Sequence, residues 1–120
     1  QEIRLLVVAP GSPQDIVQCT LKQVSLLDQL PPEYETISYC WGAPKNPSFI
    51  ELDGHEVPVP ASSEAAVKRM RLMDRPRVLW IDAICIDQSS LEERSEQVTL
   101  MPIIYRSGKR NLVHLGDDDE

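Results

Sequence analysis

The chain is short of most features that announce a function. Its 120 residues hold three cysteines, five glycines, two Trp, three Tyr and one Phe. No CxxC pair occurs, so neither a zinc knuckle nor a dithiol redox motif is written into it. Cys19, Cys40 and Cys85 are an odd and scattered set, which gives no disulfide framework and suits a reducing compartment. A Cys–His nucleophile pair or a zinc site could be built from Cys40 or Cys85 with His55 or His114, but no metal-ligand spacing of the CxxC kind supports it. Glycine-rich loops of the GxGxxG or GxxxxGK type are missing, which removes the usual phosphate cradles. No apolar run nears the ~20 residues of a membrane span, and no charged-then-apolar leader is seen, so neither a membrane span nor export is expected. Positive charge is scarce as well. Twelve Lys and Arg against nineteen Asp and Glu leave −7, a surface that repels a phosphate backbone, so nucleic acid is not an expected partner. Arg69, Arg71, Arg75 and Arg77 cluster on or just after one segment and read as a solvated helix face.

What is present alternates between strand and helix signals. Residues 3–8 form an apolar run closed by Pro10-Gly11-Ser12-Pro13, and residues 16–26 alternate as a second strand. Together they predict an antiparallel, peripheral edge pair. Residues 34–41 read as a strand stopped by Gly42. Residues 49–59 predict a hairpin, because Asp53-Gly54 suits a type I′ turn. A helix is expected over 63–73, capped by Ser62, with Ala66, Met70 and Met73 on its inner face and Arg75-Pro76 ending it. The strand from Val78 is almost unbroken in its apolar character, as expected when helices cover both faces. A second helix is expected over 91–105, with Leu91, Arg94, Val98, Met101 and Tyr105 as the inward stripe and Gly108 beyond its end. Pro102 removes a hydrogen bond inside that helix and predicts a kink. Residues 111–115 give a last strand. Strands 34–41, 78–83 and 111–115, separated by crossovers, predict parallel neighbours in a three-layer α/β domain spanning 1–120 and cut from a longer chain, with its C-terminal part missing.

The junction after Leu79-Trp80-Ile81-Asp82-Ala83-Ile84-Cys85-Ile86-Asp87-Gln88 is the richest region. A strand running into a helix N-terminus is where open α/β sheets place ligands. Those residues, with Tyr34-Glu35-Thr36-Ile37-Ser38-Tyr39-Cys40-Trp41-Gly42 before them and Glu93-Arg94, Gln97, Met101, Ile104-Tyr105 and Leu115-Gly116 after, resemble the heterokaryon-incompatibility (HET) domain of filamentous fungi. The match runs in order over nearly the whole chain. It departs at Asp87, where Asn is usual, at Pro102, and at Ser107-Gly108, where a small residue such as Ala is common. The resemblance implies a cytoplasmic domain that triggers or relays regulated cell death when genetically different cells fuse, often beside companion signalling modules. HET domains are in turn distantly similar to TIR domains, which implies a flavodoxin-like, mainly parallel sheet. Some TIR domains cleave NAD with a glutamate on a helix that follows a sheet strand.

That analogy gives Glu93 a catalytic role, with Tyr39, Trp41, Gly42, Asp82, Asp87, Gln88 and Arg94 around the substrate, no metal, and NAD as substrate rather than cofactor. A carboxylate can hold ribose hydroxyls and stabilise oxocarbenium-like charge as nicotinamide leaves. Trp41 offers a stacking face and Gly42 a close backbone approach at the same strand edge, where Gly116-Asp117 also arrives. Each residue has a second reading. Ser90-Leu91-Glu92-Glu93 fits a capping box, in which Glu93 bonds the Ser90 amide. Asp82, amid apolar residues, needs a partner, and either Arg94 or the Tyr39 hydroxyl can supply one. Trp41 serves as core or platform, while Trp80, mid-strand, is core. Two mechanisms therefore stay open: nucleotide cleavage through Glu93, or a non-catalytic module that self-associates.

Overall fold

The computed structural model describes residues 2–27, 33–39 and 47–114. Seven strands and three helices are formed there. In chain order they are β1 (Glu2–Val8), β2 (Gln18–Ser25), β3 (Glu35–Tyr39), β4 (Ser48–Leu52), β5 (His55–Val59), α1 (Ala61–Met70), β6 (Arg77–Trp80), α2 (Asp82–Cys85), α3 (Leu91–Ser107) and β7 (Asn111–His114). All seven strands join one sheet in the order β5-β4-β2-β1-β6-β3-β7. As expected, β6, β3 and β7 are parallel neighbours.

The sheet is mixed rather than mainly parallel. β1 runs antiparallel to both β2 and β6, β4 is antiparallel to β5, and β2 pairs β4 in parallel. The N-terminal pair is therefore no peripheral edge, because β1 occupies the middle strand position. Its sequence explains this: Ile3, Leu5, Leu6 and Val8 are all buried, and they include residues of both parities. A strand with side chains on alternate sides can bury both sets only when both faces are covered. The β4–β5 turn places Asp53 at φ 53° and Gly54 at φ 83°, the positive pair that a type I′ hairpin demands.

Three helix expectations shift. Pro60, not Ser62, precedes the first turn of α1, and its carbonyl takes the Ser63 and Glu64 amides at 3.0 and 3.1 Å. The helix stops at Met70 because Arg71 turns extended and buries its guanidinium against the β1–β2 turn, donating to the carbonyls of Ile16 (3.1 Å) and Ser12. Met73 lies outside the helix and is exposed. The basic cluster is thus not one solvated face: Arg71 is buried, and Arg77 is tied to Glu35. β6 ends at Trp80, and a single helical turn follows, so Cys85 sits in α2 rather than in a strand. Cys40 lies outside the described residues.

α3 buries a different stripe from the expected one. Gln97, Leu100 and Ile104 face inward, with Glu93 half-buried in line, while Leu91, Arg94, Val98 and Tyr105 are exposed and Met101 is half-buried. The helix continues through an exposed Pro102 and ends where Gly108 donates to the Ile104 carbonyl at 3.2 Å. Among the described residues no helix is long and apolar enough to cross a membrane.

Candidate functional site

β3, β6 and β7 are parallel, so their C-terminal ends share one edge, and the chain leaves β6 there through α2 into α3. Trp80 is fully buried, with Tyr105 edge-on at 5.7 Å between ring centres, and is core. Trp41, Gly42 and Gly116-Asp117 lie outside the described residues, so the expected stacking platform has no geometry to test.

Asp82 opens α2. Its carboxylate accepts from the Tyr39 hydroxyl at 3.2 Å, and that phenol oxygen accepts from the Ser63 hydroxyl at 3.1 Å. Burial, with the Asp82 charge added, pushes the Tyr39 phenol up to about 12, so it remains a donor. The main-chain carbonyl of Asp82 accepts from Gln88 Nε2 at 2.9 Å. Of its two candidate partners Asp82 therefore uses the hydroxyl. Arg94 is exposed and forms no ion pair with Asp82. Yet Asp82, Gln88 and Arg94 do come together as the polar rim of a cleft of about 230 Å³ with Ile86, Val98 and Met101 along its walls.

Asp87 points elsewhere. Its carboxylate accepts from the Ser89 hydroxyl (2.6 Å) and amide (3.1 Å), which together hold its pKa below the usual value. An Asx-type turn of this kind shapes the loop into α3.

Glu93 makes half of a capping box. Its amide donates to Ser90 Oγ at 3.2 Å, but its carboxylate does not return to the Ser90 amide. Instead it accepts the Asp87 amide at 2.7 Å and pairs with the Arg4 guanidinium. Arg4 Nε also donates to the Cys85 carbonyl at 3.3 Å. Arg4 and Glu93 thus clamp β1, α2 and the following loop to the start of α3. They line a second cleft, of about 300 Å³, together with Glu2, Glu92 and Glu96. The catalytic candidate and the Asp82–Gln88–Arg94 rim consequently line separate clefts.

Burial pushes the thiols of Cys19 and Cys85 up to about 12, which leaves neither as a thiolate near neutral pH. Among the described residues no three His, Cys, Asp or Glu side chains gather to hold a metal ion. Two participants, Arg4 and Ser63, escaped the sequence reading. Arg4 had a signal, being a lone charge inside an apolar strand; Ser63 had none. Gln97, one of the residues that carry the family resemblance, was given no site role there, and its amide donates to the Glu2 carbonyl at 3.0 Å.

Residues 34–120 match the family described as Heterokaryon incompatibility protein (HET). A curated relative, "Heterokaryon incompatibility protein 6, OR allele" of Neurospora crassa, is 34% identical over 128 aligned residues covering 95% of this chain. The chain spans only 18% of that protein's length. No solved structure matches the chain.

Proposed function

Because the chain belongs to the heterokaryon-incompatibility (HET) family, we propose that it is a cytoplasmic effector module of regulated cell death in fungal non-self recognition. In this reading it works by contact, through self-association and companion modules in a longer protein, rather than by turnover. The observation that carries the contact mechanism is the commitment of Glu93. Its carboxylate is taken up by the Arg4 guanidinium and the Asp87 amide, so it holds the α2–α3 junction together. The cleft beside it also gathers Glu2, Glu92 and Glu96, and four carboxylates against one guanidinium repel a dinucleotide's phosphates.

A second reading keeps one supporting observation. Glu93 does line an open cleft of about 300 Å³ at the edge where α/β sheets bind ligands, as an NAD-cleaving glutamate would. One experiment separates the two. Purified protein is incubated with NAD and nicotinamide release is followed, while wild type and Glu93→Gln are compared for killing in fungal cells. The contact mechanism expects no release and full killing by folded Glu93→Gln. Release by wild type that Glu93→Gln abolishes, together with loss of killing, overturns it in favour of the enzyme.

A further inference from the structure

α3 carries a second apolar line that the sheet leaves largely open, touching it only where the Tyr105 ring stands edge-on to Trp80. Leu91 is 75% exposed, Val98 57% and Tyr105 37%. They stand seven residues apart, about two helical turns, and so lie along one side of the helix. Three large apolar side chains in register on one open helix face is more than scattered surface hydrophobicity.

We propose that this line is the self-association surface of the domain, filled by α3 of a second copy packed antiparallel about a two-fold axis at Val98. The proposal rests on the contact reading above and names the surface that reading needs. The spacing is self-complementary: a two-fold axis at Val98 sets Leu91 of each copy against Tyr105 of the other, as an isologous interface requires. Charge selects the same direction. Glu92 near the start of α3 and Arg106 near its end are both exposed, and among the described residues neither has an ion-pair partner. They are fourteen residues apart, one after Leu91 and one after Tyr105, and therefore on the same flank of the line. Antiparallel packing brings Glu92 of each copy beside Arg106 of the other; parallel packing sets the two flanks on opposite sides of the contact, where neither charge meets the other. Opposed helix dipoles add to that preference.

The contact is small. Seventeen residues of helix extend only about 25 Å, which falls short of the roughly 800 Å² per partner of a standard stable interface. The dimer is accordingly weak and dependent on concentration, so companion modules that gather copies would switch it on.

Sedimentation velocity over a dilution series of the 120-residue chain is the test, using wild type, Val98→Glu, Arg106→Glu and the double reversal Glu92→Arg/Arg106→Glu. Wild type is expected to shift from monomer to dimer as concentration rises. Val98→Glu sets two like charges on the axis and should stay monomeric with an unchanged melting curve, since Val98 lies largely outside the core. Arg106→Glu should weaken dimerisation roughly tenfold through two symmetric pairs, and the double reversal should restore it. A wild type that is monomeric throughout overturns the surface and the self-association reading together. A wild-type dimer unaffected by Val98→Glu, or by Arg106→Glu, overturns the surface alone. Protection of the α3 line from hydrogen exchange in a monomeric longer protein overturns the second copy in favour of an intramolecular cover.

Discussion

Replacing Glu93 by Ala tests the clamp at the α2–α3 junction most directly. The substitution removes an acceptor from the Asp87 amide at 2.7 Å and the partner of Arg4. A hydrogen bond to a charged acceptor contributes about 1.5–3 kcal/mol net. The ion pair adds less, about 0.5–1 kcal/mol, because side-chain exposures of 32% for Arg4 and 27% for Glu93 leave it partly screened. Overlap between the two puts the loss at about 2–3 kcal/mol. For a chain of this length the unfolding entropy is roughly 0.25 kcal/mol/K, so Tm should fall by about 8–12 °C. Glu93→Gln keeps an acceptor for the Asp87 amide and loses only the charge, which predicts about 1 kcal/mol and about 4 °C. Thermal melts followed by circular dichroism read both variants. A double-mutant cycle with Arg4→Met should give a coupling of about 0.5–1 kcal/mol that shrinks in high salt. A Glu93→Ala melt that superimposes on wild type would refute the clamp and return Glu93 to the list of groups free for chemistry.

Glu35 joins the opposite ends of the parallel strands, accepting from Arg77 at 2.7 and 3.1 Å and pairing with Arg110 at 3.1 Å, with its side chain only 12% exposed. The Arg77 hydrogen bonds hold its carboxyl below the ordinary value of 4.5, so its stabilisation is present above the unfolded pKa and lost as pH falls through the folded one. Glu35→Gln should therefore cost about 2–3 kcal/mol at neutral pH, and urea midpoints should converge with wild type in acid; a gap that stays constant with pH contradicts this. Tyr39→Phe removes the hydroxyl between Ser63 and Asp82 and should cost about 1 kcal/mol, read as a Tm decrease of about 4 °C. Arg94→Ala, at an exposed side chain with no ion pair to Asp82, should stay within about 0.5 kcal/mol of wild type in the same melts; a larger loss would mean that the Asp82–Arg94 contact forms in solution.

Much of this architecture is legible in the residues, and the misreadings have physical causes. The parallel trio β3, β6 and β7 is marked by apolar runs separated by crossovers, and the Asp53-Gly54 hairpin is marked by a dipeptide that favours its turn. The position of β1 is not marked, because an apolar strand says that both its faces are covered and not which strands flank it. Residues 79–86 look like one continuous strand, and only the Asp82 interruption hints at α2. On α3 two stripes share helical spacing. The more apolar one, through Leu91, Val98 and Tyr105, looks like the core face. The buried one contains Glu93 and Gln97, whose polarity is compensated by Arg4 and the Glu2 carbonyl, partners some ninety residues away in sequence. The same contact accounts for the candidate site: Asp82, Gln88 and Arg94 converge as the junction suggests, while Glu93 is drawn to the other cleft by a residue on β1.

The central place of β1 also sets an order on folding. Val8 pairs with Arg77 and Leu6 with Leu79, so β1 is completed on that side only by residues made about seventy positions later. At synthesis rates of roughly 5–20 residues per second, a strand rich in leucine and valine waits several seconds for its partner. Until then β1 and β2 form a hairpin with an open hydrophobic edge, which alone is marginally stable. The family-matched segment, residues 34–120, does not include this hairpin. A nascent chain halted before β6 is therefore left with β5-β4-β2-β1 and a β3 that has no neighbour, and a chain trimmed to that segment with β4–β5 and β6–β3–β7 as two separate fragments of sheet. Assembly of the domain is all-or-none in β6, and the ribosome delivers that strand late.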